Sequence, residues 1–203
     1  MVLMSPAFQV SPAARRAFTA MAGDLTRVFG ARFVALVAYG RHRSAAFVAS
    51  LAADDLDALS AASDAWHRDG LDTPLLLAAD EFRRTLDVFP LEYQAILDAH
   101  EVIAGTPPFD GARVSPEHLR RACEAQAKGH LIHLRQSWVD AGNHGHDLDG
   151  RIVGSAGPLR VLLAHIARLD GLAGMDPAEF AGTRIGADRA MIAAVLALEE
   201  HPE

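Results

Sequence analysis

Apolar residues recur along this chain with two different periods, and the change of period divides it. Ser11 and Pro12 make a helix start, a capping hydroxyl followed by proline at the first helical position. Phe18, Met21, Leu25 and Val28 then fall on one helical face, and Gly30 is placed to end the helix. Residues 33–39 form a short, mostly apolar run ending at Gly40, the mark of a buried strand, and residues 45–51 read as a second. Asp54 is placed to cap a helix running to about His67, with Leu56 and Leu59 inward. Gly70 closes that helix, Pro74-Leu75-Leu76-Leu77 gives a third buried strand, and Asp80 is placed to cap a short helix over 81–86. Alternation of strands and helices is the pattern of an α/β layer.

The chain turns at Leu86-Asp87-Val88-Phe89-Pro90-Leu91-Glu92-Tyr93. Pro90 fixes its own φ and drives Phe89 to extended backbone. Phe89, Leu91 and Tyr93 alternate with Pro90 and Glu92, which predicts a new extended segment reaching Val102-Ile103-Ala104, with a break near Leu97-Asp98. Gly105-Thr106-Pro107-Pro108-Phe109-Asp110-Gly111 is the clearest linker. Beyond it the pattern is helical throughout. Ser115-Pro116 repeats the helix start, and Leu119, Cys123, Ala127, Leu131, Leu134 and Trp138 make one stripe. The stripe predicts a single helix over 119–139 packed against others, with Arg120, Glu124 and Lys128 paired on another face. Residues 141–150 read as a polar loop and 158–170 as a helix with Leu159, Leu162, Leu163, Ile166 and Leu169 inward. Asp176-Pro177 and Asp188 begin two more, the last carrying Ile192, Val195 and Leu196. The expected architecture is α+β, with an α/β-like first domain over 1–112 and a helical bundle over 113–203.

Composition narrows the function classes. Of 203 residues 50% are hydrophobic and 22% charged, so a packed core is within reach and disorder is not expected. A net charge of -7 argues against wrapping nucleic acid, which needs a basic surface. The single cysteine, Cys123, leaves no intramolecular disulfide and fits a reducing compartment and a core position. No apolar run in the sequence approaches the ~20 residues of a membrane span, and the N-terminus lacks a charged n-region. These features lead us to expect a soluble, cytoplasmic protein with no membrane partner.

The stretches Leu36-Val37-Ala38-Tyr39-Gly40, Pro74-Leu75-Leu76-Leu77, Asp87-Val88-Phe89-Pro90-Leu91-Glu92-Tyr93, and Leu119-Arg120 through Leu134-Arg135 stand in an order and spacing that resembles the nucleotidyltransferase superfamily, and within it a bacterial group of nucleotidyltransferase-like proteins. The resemblance covers roughly residues 10–140. It implies a small mixed sheet flanked by helices. In active members it also implies Gly-Ser after the first strand, an Asp-x-Asp or Asp-x-Glu pair on the second, and a third carboxylate on a later strand. Glycine lets backbone approach a triphosphate, serine donates to it, and the carboxylates hold magnesium for two-metal transfer. The chain departs from this at each point. Arg41 follows Gly40, and neither 45–51 nor 74–77 contains a carboxylate. Asp55-Leu56-Asp57 is formally an Asp-x-Asp and is the alternative magnesium site, but Asp54, Asp55 and Asp57 open a helix, where carboxylates gather for the free N–H groups and the dipole.

Three other clusters carry candidate chemistry. Arg41-His42-Arg43 follows the first strand, where strand ends in open sheets bind ligands, so Gly40, Arg41 and Arg43 are the candidate anion site; the competing reading is a solvated basic loop. His144-Gly145-His146-Asp147-Leu148-Asp149 holds metal-ligand types without regular spacing and reads as a loop. His130 and His133 are three apart with no Glu between them, which is not a zincin pair. The expected function is a catalytically degenerate nucleotidyltransferase-like protein with a binding or interaction role and no cofactor. The alternatives are an active magnesium-dependent nucleotidyltransferase acting on a small molecule through Asp55 and Asp57, and an anion or small-molecule sensor. A nucleotide or other anionic small molecule and a second copy of the chain are the partners left open.

Overall fold

The computed structural model describes residues 9–40, 42–141 and 146–198, the side chains at 141, 146–149 and 151 excepted. The fold is α+β, with eight α-helices and a four-stranded mixed sheet among the described residues. Its contacts divide the chain into two units between Val114 and Ser115.

In the first unit, helix α1 (Pro12–Phe29) leads into β1 (Phe33–Ala38), which turns back as β2 (Ser44–Val48). Helix α2 (Ala53–Arg68) crosses to β3 (Leu75–Ala78), followed by α3 (Ala79–Arg84), α4 (Pro90–Asp98) and β4 (Glu101–Gly105). The strand order is β3-β2-β1-β4; β1 pairs antiparallel with β2 and β4, and β2 pairs parallel with β3. The two-residue period sends Leu36, Ala38, Ala46 and Val48 to one face, onto Phe18, Met21, Leu25, Leu59 and Trp66. It sends Val37, Tyr39, Ala45 and Phe47 to the other, onto Phe82, Tyr93 and Ile96. Both faces of β1 and β2 are therefore core, which is why these strands read as continuous apolar runs.

Caps and crosslinks fix the frame. Ser11 Oγ accepts from Ala14 N at 3.2 Å, and Gly30, at φ 53, ends α1. The Glu101 carboxylate of β4 accepts from Val10 N at 2.8 Å and pairs with Arg15, joining the start of α1 to the sheet edge. Trp66 Nε1 donates to Asp24 Oδ2 at 3.0 Å, joining α2 to α1. At Gly105 (φ 72) a Cβ would stand 2.0 Å from the Val34 carbonyl oxygen, so no other residue fits that strand crossing.

Several expectations for this unit are corrected. Residues 90–98 are helix, not strand: Pro90 takes the first helical position, where its missing N–H costs nothing, and Pro90, Tyr93, Gln94 and Ile96 are the buried positions. The apolar alternation was coincident with a helical i, i+3, i+4 pattern, and the helical one wins. The break near Leu97-Asp98 and the strand at Val102 are where they were expected. Leu56 points outward, 46% exposed, because α2 opens at Ala52 and turns Asp55, Leu59 and Trp66 inward instead. Asp54 and Asp80 are not N-caps; Ala52 and Ala78 hold those positions, with Asp55 and Glu81 reaching back to their N–H groups. Strand β3 is a sheet edge and only half-buried.

The second unit is all-helical: α5 (Pro116–Ala141), α6 (His146–Leu169), α7 (Pro177–Phe180) with a π turn at Ala181–Ile185, and α8 (Arg189–Ala197). Leu163, Ala167, Ala178, Phe180 and Leu196 form its core. Helix α5 is continuous and runs against α6 in the opposite direction, with Gln126 Nε2 donating to the Pro158 carbonyl at 3.4 Å. Two expectations change here. Helix α6 starts at His146 and runs through Pro158, so much of the predicted loop is helix, and Ala156 before the proline and Leu162 and Leu163 after it are all buried. Its segment Ile152–Leu169, mean hydropathy 1.3, is long and apolar enough to cross a membrane by length and composition alone.

The α5 stripe is the second change. Leu119 and Cys123 are buried, but Leu131 is 48%, Leu134 39% and Trp138 70% exposed. Steps of four residues advance about 40° beyond a full turn each time at ~100° per residue, so the stripe walks off the buried side after Cys123. The buried and half-buried face of α5 runs instead through Leu119, Cys123, Gln126, His130 and Ser137, in which the apolar signal fades.

Candidate functional site

Strand β1 delivers Tyr39 and Gly40 to the end of the sheet. Tyr39 N donates to the Arg43 carbonyl at 2.9 Å, closing a tight turn, with Gly40 at φ 74. The Arg43 guanidinium folds back over that turn. Its carbon lies 5.1 Å from the Tyr39 ring centroid, its Nε and Nη2 stand 3.3 Å from where a Cβ on Gly40 would be, and its Nη1 is 3.8 Å from Glu92 Oε1. Gly40 thus makes room for Arg43 as well as for the left-handed turn. Arg41 lies outside the described residues.

Glu92, in the first turn of α4, also accepts from the Tyr39 hydroxyl. Burial, then this hydrogen bond and the Glu92 charge, push the Tyr39 hydroxyl above its ordinary titration range, so it stays a donor. Tyr93 is raised too, chiefly by burial, and its hydroxyl meets Thr85 Oγ1 at 3.0 Å. The His42 carbonyl accepts from Asp72 N at 3.0 Å. His42 with Val10, Ser11, Asp69 and Leu71 lines a groove of about 590 Å³ beside the start of α1. Tyr39 and Glu92 were not identified as site residues from sequence. Glu92 was hidden because the Phe89 to Tyr93 alternation read as a strand, which put it on the wrong face.

The two aspartates of the formal Asp-x-Asp are on a helix and point apart. Asp55 turns inward and is buried, while Asp57 is exposed. Arg32 grips Asp55 with both arms, Nη1 to Oδ2 and Nη2 to Oδ1, each at 2.7 Å, and Ala52 N donates to Oδ2 at 2.9 Å. Arg32 Nη1 also reaches the Ser50 carbonyl at 3.3 Å. The Arg32 hydrogen bonds, helped by Ala52 N–H, hold the Asp55 carboxyl down at about 2, and Arg32 is raised in return. The Asp55 oxygens are thus already engaged by donors that lock the end of β2 to the start of α2.

The remaining candidates do not converge. His130 Nε2 lies 3.3 Å from Gln126 Nε2, and His133 Nδ1 3.2 Å from Gln136 Oε1, along the surface of α5. His144 lies outside the described residues, as do the side chains of His146, Asp147 and Asp149. Cys123 is buried, which pushes its thiol up to about 11. Among the described residues no group of three or more His, Cys, Asp or Glu side chains is placed to hold a metal ion. No family model, curated protein or solved structure matches this chain.

Proposed function

We propose that this chain is a catalytically degenerate nucleotidyltransferase-like protein that binds an anionic small molecule, a nucleotide or sugar phosphate, at the Gly40–Arg43 turn. The observation that carries the reading is the engagement of Asp55. An active magnesium enzyme would need Asp55 and Asp57 on one metal. Positions two apart on a helix face different ways, and Asp55 is held by the Arg32 fork. A helix before the first strand, a mixed sheet, and β1 leading directly into Tyr39-Gly40 are the layout the resemblance implies, and they support the class without the chemistry.

The anion reading rests on Arg43. Its pairing with Glu92 at 3.8 Å is partly exposed, 41% and 36% for the two side chains, and such pairs contribute about 0–1 kcal/mol. A charge-assisted hydrogen bond to a phosphate contributes roughly 1.5–3 kcal/mol, so a phosphate takes the guanidinium from Glu92. Thermal shifts with a panel of nucleotides and sugar phosphates test this. Stabilisation should vanish in Arg41→Ala/Arg43→Ala and grow in Glu92→Gln, which removes the competing carboxylate. A hit that survives the double variant places the site elsewhere. Labelled nucleoside triphosphates with magnesium and a broad acceptor pool test the loss of activity: robust transfer abolished by Asp57→Ala, an exposed position, overturns the degenerate reading.

A further inference from the structure

One buried tyrosine orients both charges at the end of β1. Tyr39 is 3% exposed; its hydroxyl donates to Glu92 Oε1, and the Arg43 guanidinium carbon lies 5.1 Å from its ring centroid. Burial keeps that hydroxyl protonated, so it fixes the Glu92 carboxylate as its acceptor. Yet Arg43 Nη1 stands 3.8 Å from Glu92 Oε1, beyond the ~2.7–2.9 Å of a charge-assisted hydrogen bond. The Arg32 fork on Asp55, at 2.7 Å, shows what a closed pair looks like in the same unit. Arg43 and Glu92 are instead held side by side on Tyr39 without closing on each other. Among the described residues no donor is placed on Glu92 Oε2.

We infer that the ligand of the Gly40–Arg43 turn is a phosphate ester carrying an ammonium group of its own, a short spacer away from the phosphate. The inference rests on the anion reading above and narrows its ligand class: an amino sugar phosphate is of this kind and a nucleotide is not. A phosphate docked on Arg43 also comes to lie beside the Glu92 carboxylate, where like charges oppose each other. A plain ester leaves that repulsion in place and draws away the cation beside Glu92. An ester with an ammonium replaces the cation it displaces, with phosphate on the guanidinium and ammonium on Glu92. Neither group needs to be built on binding, because Tyr39 already holds both.

Isothermal titration of the full chain with two esters of matched shape reads the preference. O-phosphoethanolamine carries the ammonium; in propyl phosphate a methyl group stands in its place. The first should bind about ten-fold more tightly, the value of one charge-assisted hydrogen bond. Glu92→Gln should abolish the preference by weakening the first ester and strengthening the second, and Arg43→Ala should lose both. Tyr39→Phe keeps the ring under Arg43 but frees Glu92, so it should retain phosphate affinity and lose part of the preference. Equal wild-type affinities for the two esters, both lost in Arg43→Ala, overturn this inference and leave the anion site standing. A preference that survives Glu92→Gln overturns it too. A chain that binds neither ester overturns the inference and the anion reading together, including one that binds phosphatidylethanolamine vesicles instead.

Discussion

Asp55 and Asp57 differ by two positions and by everything that matters to their chemistry. The sequence shows three aspartates at a helix start, which is enough to read them as helix-opening carboxylates. It does not show which one turns inward, because that depends on Arg32, 23 residues away along the chain. The pairing makes a pH prediction. An unfolded aspartate titrates near 3.8 and the folded Asp55 at about 2, so its folded form binds protons less readily. A depressed carboxyl contributes stability that is fully present above the unfolded value and is lost as pH falls through the folded one. Asp55→Asn should therefore lower the melting temperature at pH 7, and the gap to the wild type should close between about pH 4 and pH 2. A gap that stays constant over that window would mean that the Arg32 pairing does not set the Asp55 titration. Arg43 shows the opposite limit: its place beside Gly40 follows from the sequence, but its partner Glu92 lies 49 positions on and could be found only once 90–98 was known to be helix.

At the scale of elements, the legible ones were those with one dominant signal. Helix α1 has a cap, a proline, a stripe and a terminal glycine, and β1 and β2 are apolar on both faces; all three stand within a few residues of where they were expected. Helix α4 was misread because five residues satisfy two periods at once, and Pro90 marks a helix start as readily as a break. In α2 the helix was legible but its rotation was not, since Leu56 and Leu59 are equally apolar. Their burial separates them: Leu59 is 4% exposed and Leu56 46%. Leu59→Ala should cost about 2–5 kcal/mol through lost packing and a residual cavity. Leu56→Ala, on a surface position, should stay within about 0.5 kcal/mol. Urea melts of the two variants check this, and equal losses would mean that α2 is rotated from the orientation described.

At the scale of the whole molecule, composition marks a linker over Gly105–Gly111 but not which part of the chain that linker packs with. Gly, Pro and Asp between Gly105 and Gly111 read as a solvated tether. Yet Phe109, Ala112 and Val114 pack on the sheet face of the first unit. The Phe109 ring stands edge-on to Phe47 at 5.4 Å and 88°, lies 5.5 Å from Phe82, and is edge-on to His100 at 4.8 Å. Aromatic contacts of this kind add about 0.5–1.5 kcal/mol beyond area burial, and removing the partly buried Phe109 should cost less than the about 3–5 kcal/mol of a fully buried phenylalanine. A domain of this size has a net stability of only ~5–15 kcal/mol, so the segment is a large part of the total. The first unit should accordingly end after Val114. A fragment of residues 1–114 should melt cooperatively with a native far-UV spectrum. A fragment of residues 1–105 keeps every helix and strand of the unit and should nonetheless melt several degrees lower or fail to fold. In the full chain, Phe109→Ala should reproduce most of that loss. Equal melting temperatures for the two fragments would show that residues 106–114 are a tether, as their composition suggests, and not the closing layer of the first core.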